Sequence, residues 1–250
     1  MGLFLSENES ESILLCGDDH IRIQCIQGGL AFRSTWDQAN LTDDWISKRF
    51  PYAFDQKYGY LTAFPTNVGT GLRACVLLHL PVISNSKQFR SLMDEAKRIG
   101  ISIKGVFGEP AENYGALYYV SNQKTLGQTE DELIVSVQRV AAQLAGQERK
   151  TRIDLMKGHK NEREDEVYKS YGVLKYARKL TMKEGLVYLS QIRGGIYDGV
   201  IRMEKPVSIY SLMLGIQPGN LQLAMGPFEE EQTDYIRADY IRNNLPELAS

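Results

Sequence analysis

The sequence predicts an α+β protein, an antiparallel sheet flanked by helices with a helical carboxy-terminal region. Three observations carry that reading. Before about residue 125, short segments alternate apolar and polar residues, the period of a strand. From Thr129 onward the apolar residues recur with helical spacing and the segments lengthen. No internal repeat and no low-complexity linker interrupts the chain. With 250 residues there is room for one large domain, or for a domain with a helical appendage. The expected division is a sheet-rich part over 1–128 and a helical remainder over 129–250.

The elements follow in order. The run "SILLC" is apolar. After "GDD", the segment "HIRIQCI" places Ile21, Ile23 and Cys25 on one face and His20, Arg22 and Gln24 on the other, a half-buried strand with a polar face. Residues 32–49 read as a helix, and "YGYLTAF" as a strand. Residues 73–80 fit a strand that Arg73 opens, with Arg73, Cys75, Leu77 and His79 on one face. Phe89, Leu92, Met93, Ala96 and Ile99 keep helical spacing up to Gly100, a helix stop. Two more strands, "ISIKGVF" and "GALYYVS", flank the loop "GEPAENYG". Thr129 and Glu132 of "TEDE" form a capping box that opens a long helix through Leu133, Val137, Val140, Ala141 and Leu144. The charged stretch 147–166 reads as a solvated continuation of that helix or as a junction. Thr181 and Glu184 of "TMKE" form a second capping box. Pro206 and Pro218 bracket a short helix, and a last helix covers about 228–245.

Composition narrows the functional classes. Hydrophobic residues are 43% and charged residues 24%, as in an ordinary globular protein, and the formal net charge is −2. A nucleic-acid partner held by bulk charge is not expected. Cys16, Cys25 and Cys75 lack paired spacing, lie in apolar runs and are expected to be small buried hydrophobes. His20, His79 and His159 are too scattered for a zinc site. No apolar run reaches transmembrane length, and the amino terminus "MGLFLSENES" lacks a basic n-region and a long apolar stretch. No membrane association is expected, and a cytoplasmic place is.

Three cations stand beside glycine turns or carboxylates: Arg22 after "GDDH", Arg73 after "NVGTG", and Lys104 before "GVFGE". Guanidinium forks converging on one face bind phosphate oxygens bidentately. Cations together with Asp18, Asp19 and Glu109 suit phosphoryl transfer, where positioning and charge stabilisation carry most of the catalysis. Solvated basic residues at strand ends explain the same pattern. No Walker A sequence and no protein-kinase signature set is present.

The blocks "HIRIQ", "YLTAFPTNVGTGLRACVLLHLP", "KGVFGE", "VSNQKTLG", "VAAQL…QER" and "VYKSYGVL" occur in an order and spacing that resemble the catalytic domain of the ATP:guanidino phosphotransferases (phosphagen kinases). The bacterial protein arginine kinase branch is the nearest match, and the resemblance covers nearly the whole chain. It implies binding of ATP with Mg2+ and transfer of the γ-phosphoryl group to arginine side chains of protein substrates. It also implies an activator protein, a protease-linked unfoldase and a homodimer as partners. A guanidinium, with a pKa above ~12, is a poor nucleophile. The resemblance therefore assigns catalytic carboxylates, Asp18 and Glu109, to orient it and help remove its proton. Nucleotide binding falls to Arg22, to the segment Arg73, Ala74, Cys75, Val76 and Leu77, and to the segment Lys104, Gly105, Val106, Phe107, Gly108 and Glu109. A second motif, "RDxxRA" in that branch and "TDYIRA" here, assigns Asp234, Arg237 and Ala238 to a phosphoarginine pocket; an ordinary helix face accounts for them equally well.

The chain departs from the family at identifiable places. Its "CGDDH" stands where the family has "NEEDH", so Asp18 is one methylene shorter than the family's glutamate and Gly17 replaces another. Phe64 replaces a cysteine, and Lys104 an arginine. An amino-terminal "SRIRL" region has no counterpart in the sequence. That leaves a fragment, a partner that supplies the region, or an incomplete site as the expectations. The alternative function is an impaired relative that serves as an arginine- or phosphoarginine-binding adaptor.

Overall fold

The computed structural model describes residues 1–108 and 113–249. Strands and helices follow the order β1 (Gly2–Leu5), β2 (Glu11–Leu15), β3 (Ile21–Cys25), α1 (Phe32–Ser47), β4 (Phe54–Asp55), β5 (Gly59–Tyr60), β6 (Cys75–His79), α2 (Lys87–Arg98), β7 (Ile101–Gly105) and β8 (Leu117–Asn122). Helices complete the chain: α3 (Glu130–Gly158), α4 (Lys160–Tyr176), α5 (Met182–Tyr197), α6 (Ile209–Gly215), α7 (Pro218–Met225) and α8 (Thr233–Asn244). The strands form an antiparallel sheet β1-β2-β3, an antiparallel pair β4-β5, and a sheet in the order β6-β8-β7.

The chain divides into two compact units. The first comprises Met1–Leu78, Ser91–Ile103 and Tyr119–Gln143; the second comprises His79–Arg90, Lys104–Tyr118 and Leu144–Ser250.

In the first unit, β3 alternates as its sequence dictates: Ile21, Ile23 and Cys25 are half-buried, while Arg22 and Gln24 are exposed. Helix α1 packs on β3. Ile46, Ala96, Ile101, Val120, Leu133, Val137 and Ala141 are buried in this unit. The Thr129 box forms as written, with the Thr129 amide donating to Glu132 Oε2 (2.8 Å) and the Glu132 amide to Thr129 Oγ1 (3.3 Å). Gly100 takes a left-handed conformation (φ 81°) just past α2, as a helix stop requires.

In the second unit, Val167, Leu174, Leu180, Leu189, Ile192, Met213, Ile216, Leu221 and Ile241 are buried, and α5 packs against α4, α6 and α8. Thr181 and Glu184 close the second capping box. Among the described residues, no helix is long and apolar enough to cross a membrane.

Four expectations are corrected. First, the stretch 147–166, which continues α3 to Gly158 and passes through the junction at His159 into α4 as expected, is in part buried rather than solvated. Glu148 is 3% exposed, and its carboxylate accepts the Ile83 amide at 2.9 Å and the Val82 amide at 3.2 Å; burial pushes its pKa up. Arg163 is 7% exposed and pairs with Glu166 and Asp198, and Asp198 also holds Arg152. Ion pairs let these charges enter a packed interior. The glycines of "RGGI" make room for α4: a Cβ on Gly194 would meet Arg163 Nη2 at 2.3 Å, and one on Gly195 would meet Val167 at 2.4 Å. Second, the strand in "YGYLTAF" is limited to Gly59–Tyr60. Third, Cys16 and Cys75 are exposed and Cys25 half-buried; Cys16 sits in the β2–β3 turn with φ 55°, and Cys75 begins β6. Fourth, the last helix begins at Thr233, after a single 3-10 turn at Glu230–Gln232.

His79 gives a pH-dependent stability. Its Nε2 lies 2.8 Å from Ser190 Oγ, and burial, reinforced by the charges of Arg193, Arg152 and Arg163, lowers its pKa to about 3. The folded state keeps the ring neutral where the unfolded chain, with a pKa of about 6.5, takes up a proton. This contribution is therefore complete above about pH 6.5 and shrinks as pH falls toward 3, with a slope approaching 1.4 kcal/mol per pH unit. Denaturant melts between pH 7 and about 4.5 should show parent protein losing stability faster than His79→Gln, which carries no titrating ring. Equal slopes would remove His79 from the account.

Candidate functional site

The candidate site in the first unit is built from two loops. One is the turn between β2 and β3, residues 16–20, closed by the Cys16 amide donating to the His20 carbonyl at 2.9 Å. It carries Asp18 and Asp19 and leads into Arg22 on β3. The other is "PTNVGTGLR". It begins with a 3-10 turn at Pro65–Asn67, where the fixed φ of proline suits the first position.

The second loop is braced by residues remote in sequence. Thr125 Oγ1 lies 2.7 Å from the Val68 carbonyl and 3.1 Å from the Thr66 carbonyl, and the Thr70 amide donates to the Thr125 carbonyl at 2.9 Å. Gly69 (φ 115°) lies so close to this support that a Cβ would sit 2.3 Å from the Thr125 carbonyl oxygen. The Asn122 side chain, 1% exposed, accepts the Ala74 amide at 2.8 Å and donates to the carbonyls of Leu72 (2.9 Å) and Lys124 (3.0 Å). Because Asn122 takes the Ala74 amide, the ladder cannot start there. Arg73 and Ala74 consequently precede β6 instead of opening it, a correction of the expectation from sequence.

The two loops are joined. Asp19 accepts the Phe64 amide on Oδ1 (2.8 Å) and the Asn67 side-chain amide on Oδ2 (2.6 Å), and Arg73 Nη2 donates to Asn67 Oδ1 at 3.4 Å. Arg73, Arg22 and Asp18 are exposed. Among the described residues, Asp18 and Arg22 make no side-chain hydrogen bond or ion pair, so their charged atoms face solvent. Phe64, whose amide binds Asp19, is exposed just before the second loop. Unpaired guanidinium N–H groups and a free carboxylate fit a polyphosphate and a cationic acceptor.

Lys104, Gly105, Val106, Phe107 and Gly108 belong to the second unit. Lys104 is exposed at the end of β7, and the Val106 amide donates to the Leu117 carbonyl at 3.0 Å. Glu109 lies outside the described residues. In the same unit, Ala238 is fully buried and Arg237 is directed into the protein. The Arg237 guanidinium donates to the carbonyls of Leu180 (2.8 Å) and Ile216 (3.3 Å) and to Asp234 Oδ1 (2.5 Å), tying α8 to the start of α5 and the end of α6.

Asn67, Asn122 and Thr125 were not singled out from sequence. The signal available was asparagine and threonine in the polar loop runs "PTNVG" and "SNQKT", residues whose side chains replace missing backbone partners in loops.

Comparison with known proteins fits this arrangement. Residues 1–151 match the model of the ATP:guanido phosphotransferase, C-terminal catalytic domain, and residues 160–250 match the protein-arginine kinase McsB C-terminal domain. A protein-arginine kinase of Bacillus subtilis is 41% identical over 245 residues, 98% of this chain and 68% of that relative. One of Desulforamulus reducens is 40% identical over 250 residues, 100% of this chain and 70% of that relative. Among solved structures, the substrate-free duplicated taurocyamine kinase from Schistosoma mansoni is 28% identical with a TM-score of 0.51; the likeness covers 59% of this chain and 19% of that one. Two consecutive family matches and two-fifths identity along its length leave one assignment: the chain belongs to the protein-arginine kinases of the ATP:guanido phosphotransferase family.

Proposed function

We propose that this chain transfers the γ-phosphoryl group of ATP to arginine side chains of proteins. The observation that carries the reading is the braced "PTNVGTGLR" loop, which presents Arg73 exposed at its end. The 40% identity to a protein-arginine kinase over all 250 residues supports it. Arg22 and Arg73 neutralise phosphate oxygens, and Ala74, Cys75, Val76 and Leu77 continue the nucleotide-binding segment. ATP, when bound with Mg2+, supplies the phosphoryl group and a leaving group whose charge the cation screens. The free Asp18 carboxylate orients the acceptor guanidinium and accepts its proton. Glu109 has the companion role, and Lys104, Gly105, Val106, Phe107 and Gly108 bind nucleotide, on the strength of the motif alone. Asp234, Arg237 and Ala238 likewise take the phosphoarginine-pocket role from their motif; the three hydrogen bonds of Arg237 support a framework part in it. The same resemblance supports a cytoplasmic place, a homodimer, an activator protein and a protease-linked unfoldase.

A second reading, the arginine- or phosphoarginine-binding adaptor, is favoured by Asp18 and by exposed Phe64 at positions where the family has glutamate and cysteine. Incubating the chain with ATP, Mg2+ and an arginine-containing protein, and measuring acid-labile phosphate, separates the two. Asp18→Glu should raise turnover severalfold, because a displacement of about 1 Å costs up to roughly 10²-fold and the longer side chain restores reach. A lower rate in the variant than in an active parent would show that the loop already compensates. No turnover in either protein would favour the adaptor.

A further inference from the structure

We infer that Asp19 is a positioning residue of the nucleotide site: acting through Asn67, it sets the direction of the Arg73 guanidinium. The inference rests on the reading of Arg73 as a phosphate ligand. Asp19 lies next to the carboxylate assigned to catalysis, yet its own oxygens are both engaged by the other loop, Oδ1 by the Phe64 amide at 2.8 Å and Oδ2 by Asn67 Nδ2 at 2.6 Å. An ionised carboxylate only accepts, so it selects which end of the Asn67 amide faces it. The NH2 group turns to Asp19, and Oδ1 is left on the opposite side. There it receives Arg73 Nη2 in a long contact of 3.4 Å. That contact is long, hence weak enough to yield to a phosphate oxygen, while it leaves the guanidinium turned toward Asn67. Arg73 makes no other side-chain hydrogen bond or ion pair among the described residues, and its charge acts besides only on the nearby Cys75 thiol, so the hydrogen bond that orients it runs through Asn67 and hence Asp19.

The chain has a reason to use a carboxylate here. An asparagine at position 19 would accept the Phe64 amide with its oxygen but present its own NH2 to the NH2 of Asn67, two donors facing each other. The Asn67 amide would then flip and offer NH2 to Arg73, pushing the guanidinium away.

The test is calorimetric binding of ATP and of adenosine to the full chain and to Asp19→Asn, Asn67→Ala, Arg73→Ala and the double variant Asp19→Asn/Arg73→Ala. Asp19→Asn should weaken ATP about tenfold, the scale of one hydrogen bond to a charged group. Adenosine, which has no phosphate, should change by less than about twofold. Asn67→Ala should repeat that pattern while leaving the Asp19–Phe64 bond in place, and so covers the case in which Asp19→Asn fails to fold. The double variant should bind ATP no more weakly than Arg73→Ala, because both changes remove one interaction. If Arg73→Ala weakens ATP but Asp19→Asn and Asn67→Ala do not, or if the Asp19 and Arg73 effects add, the positioning role is wrong and the nucleotide reading stands. Equal losses for ATP and adenosine in Asp19→Asn would make Asp19 a structural residue. Should the parent bind no ATP, or Arg73→Ala bind it as tightly as the parent, the nucleotide reading falls and this inference with it.

Discussion

Replacing Arg73 by alanine is expected to weaken ATP binding by about 2 kcal/mol, roughly thirtyfold, while adenosine affinity stays nearly constant. The size follows from what is lost, a charge-assisted contact between a guanidinium and a phosphate. Its selectivity follows from where Arg73 stands. The residue is exposed, lies outside the β6 ladder and, among the described residues, makes one side-chain hydrogen bond, the 3.4 Å contact to Asn67. Removing its side chain should therefore leave the loop intact, since Asn122 and Thr125 hold that loop through backbone groups. Calorimetric titration with each ligand measures both quantities. Parallel losses for ATP and adenosine would mean that Arg73 supports the fold instead of the phosphate.

A larger effect, on stability, is expected at Gly69. Gly69→Ala should destabilise the protein by about 4 kcal/mol, at the upper end of single substitutions. Two causes add. The backbone has φ 115°, which L residues rarely adopt, and the new Cβ would stand 2.3 Å from the Thr125 oxygen and 2.8 Å from Leu126 Cα. Both obstacles are backbone, so no side-chain rotation relieves them. Gly71 provides the control: its φ is 65°, but the nearest atom to a Cβ is the Asn67 oxygen at 4.0 Å. Gly71→Ala should cost only about 1 kcal/mol, the conformational part alone. Denaturant melts of the two variants decide the matter, and equal losses would show that close approach contributes nothing at Gly69.

These two glycines mark how far local reasoning reached. "PTNVGTGLR" was recognisable as a glycine turn meeting a cation, and the family resemblance attached phosphate to it. The difference between Gly69 and Gly71 was not recognisable, because it depends on Thr125 and Leu126, more than fifty residues away. The same holds for the strand boundary. Apolar residues from Val76 onward predicted β6, but its start at Cys75 instead of Arg73 is set by the Asn122 side chain, which captures the Ala74 amide from 48 residues away.

What the sequence determined by itself is what depends on neighbours within a few residues. The alternation in β3, the capping boxes at Thr129 and Thr181 and the helix stop at Gly100 all appear in the structure as written. In the caps and the helix stop the interacting groups are at most four positions apart, and in β3 the two-residue period alone assigns each side chain its face, so order along the chain is order in space. Tertiary structure alone decided the fate of charge. Arg22 and Arg73 remain in solvent, whereas Arg163, Arg237 and Glu148 are buried, though all are equally polar in the sequence. Burying a charge requires partners. Arg163 finds Asp198, 35 residues away; Arg237 finds the Leu180 carbonyl, 57 away; Glu148 finds the Ile83 amide, 65 away. Arg163 and Arg237 also pair with Glu166 and Asp234 three positions away, but the remote partners lie outside any sequence window, and which charges are left free for a ligand is settled only when the fold has satisfied the rest.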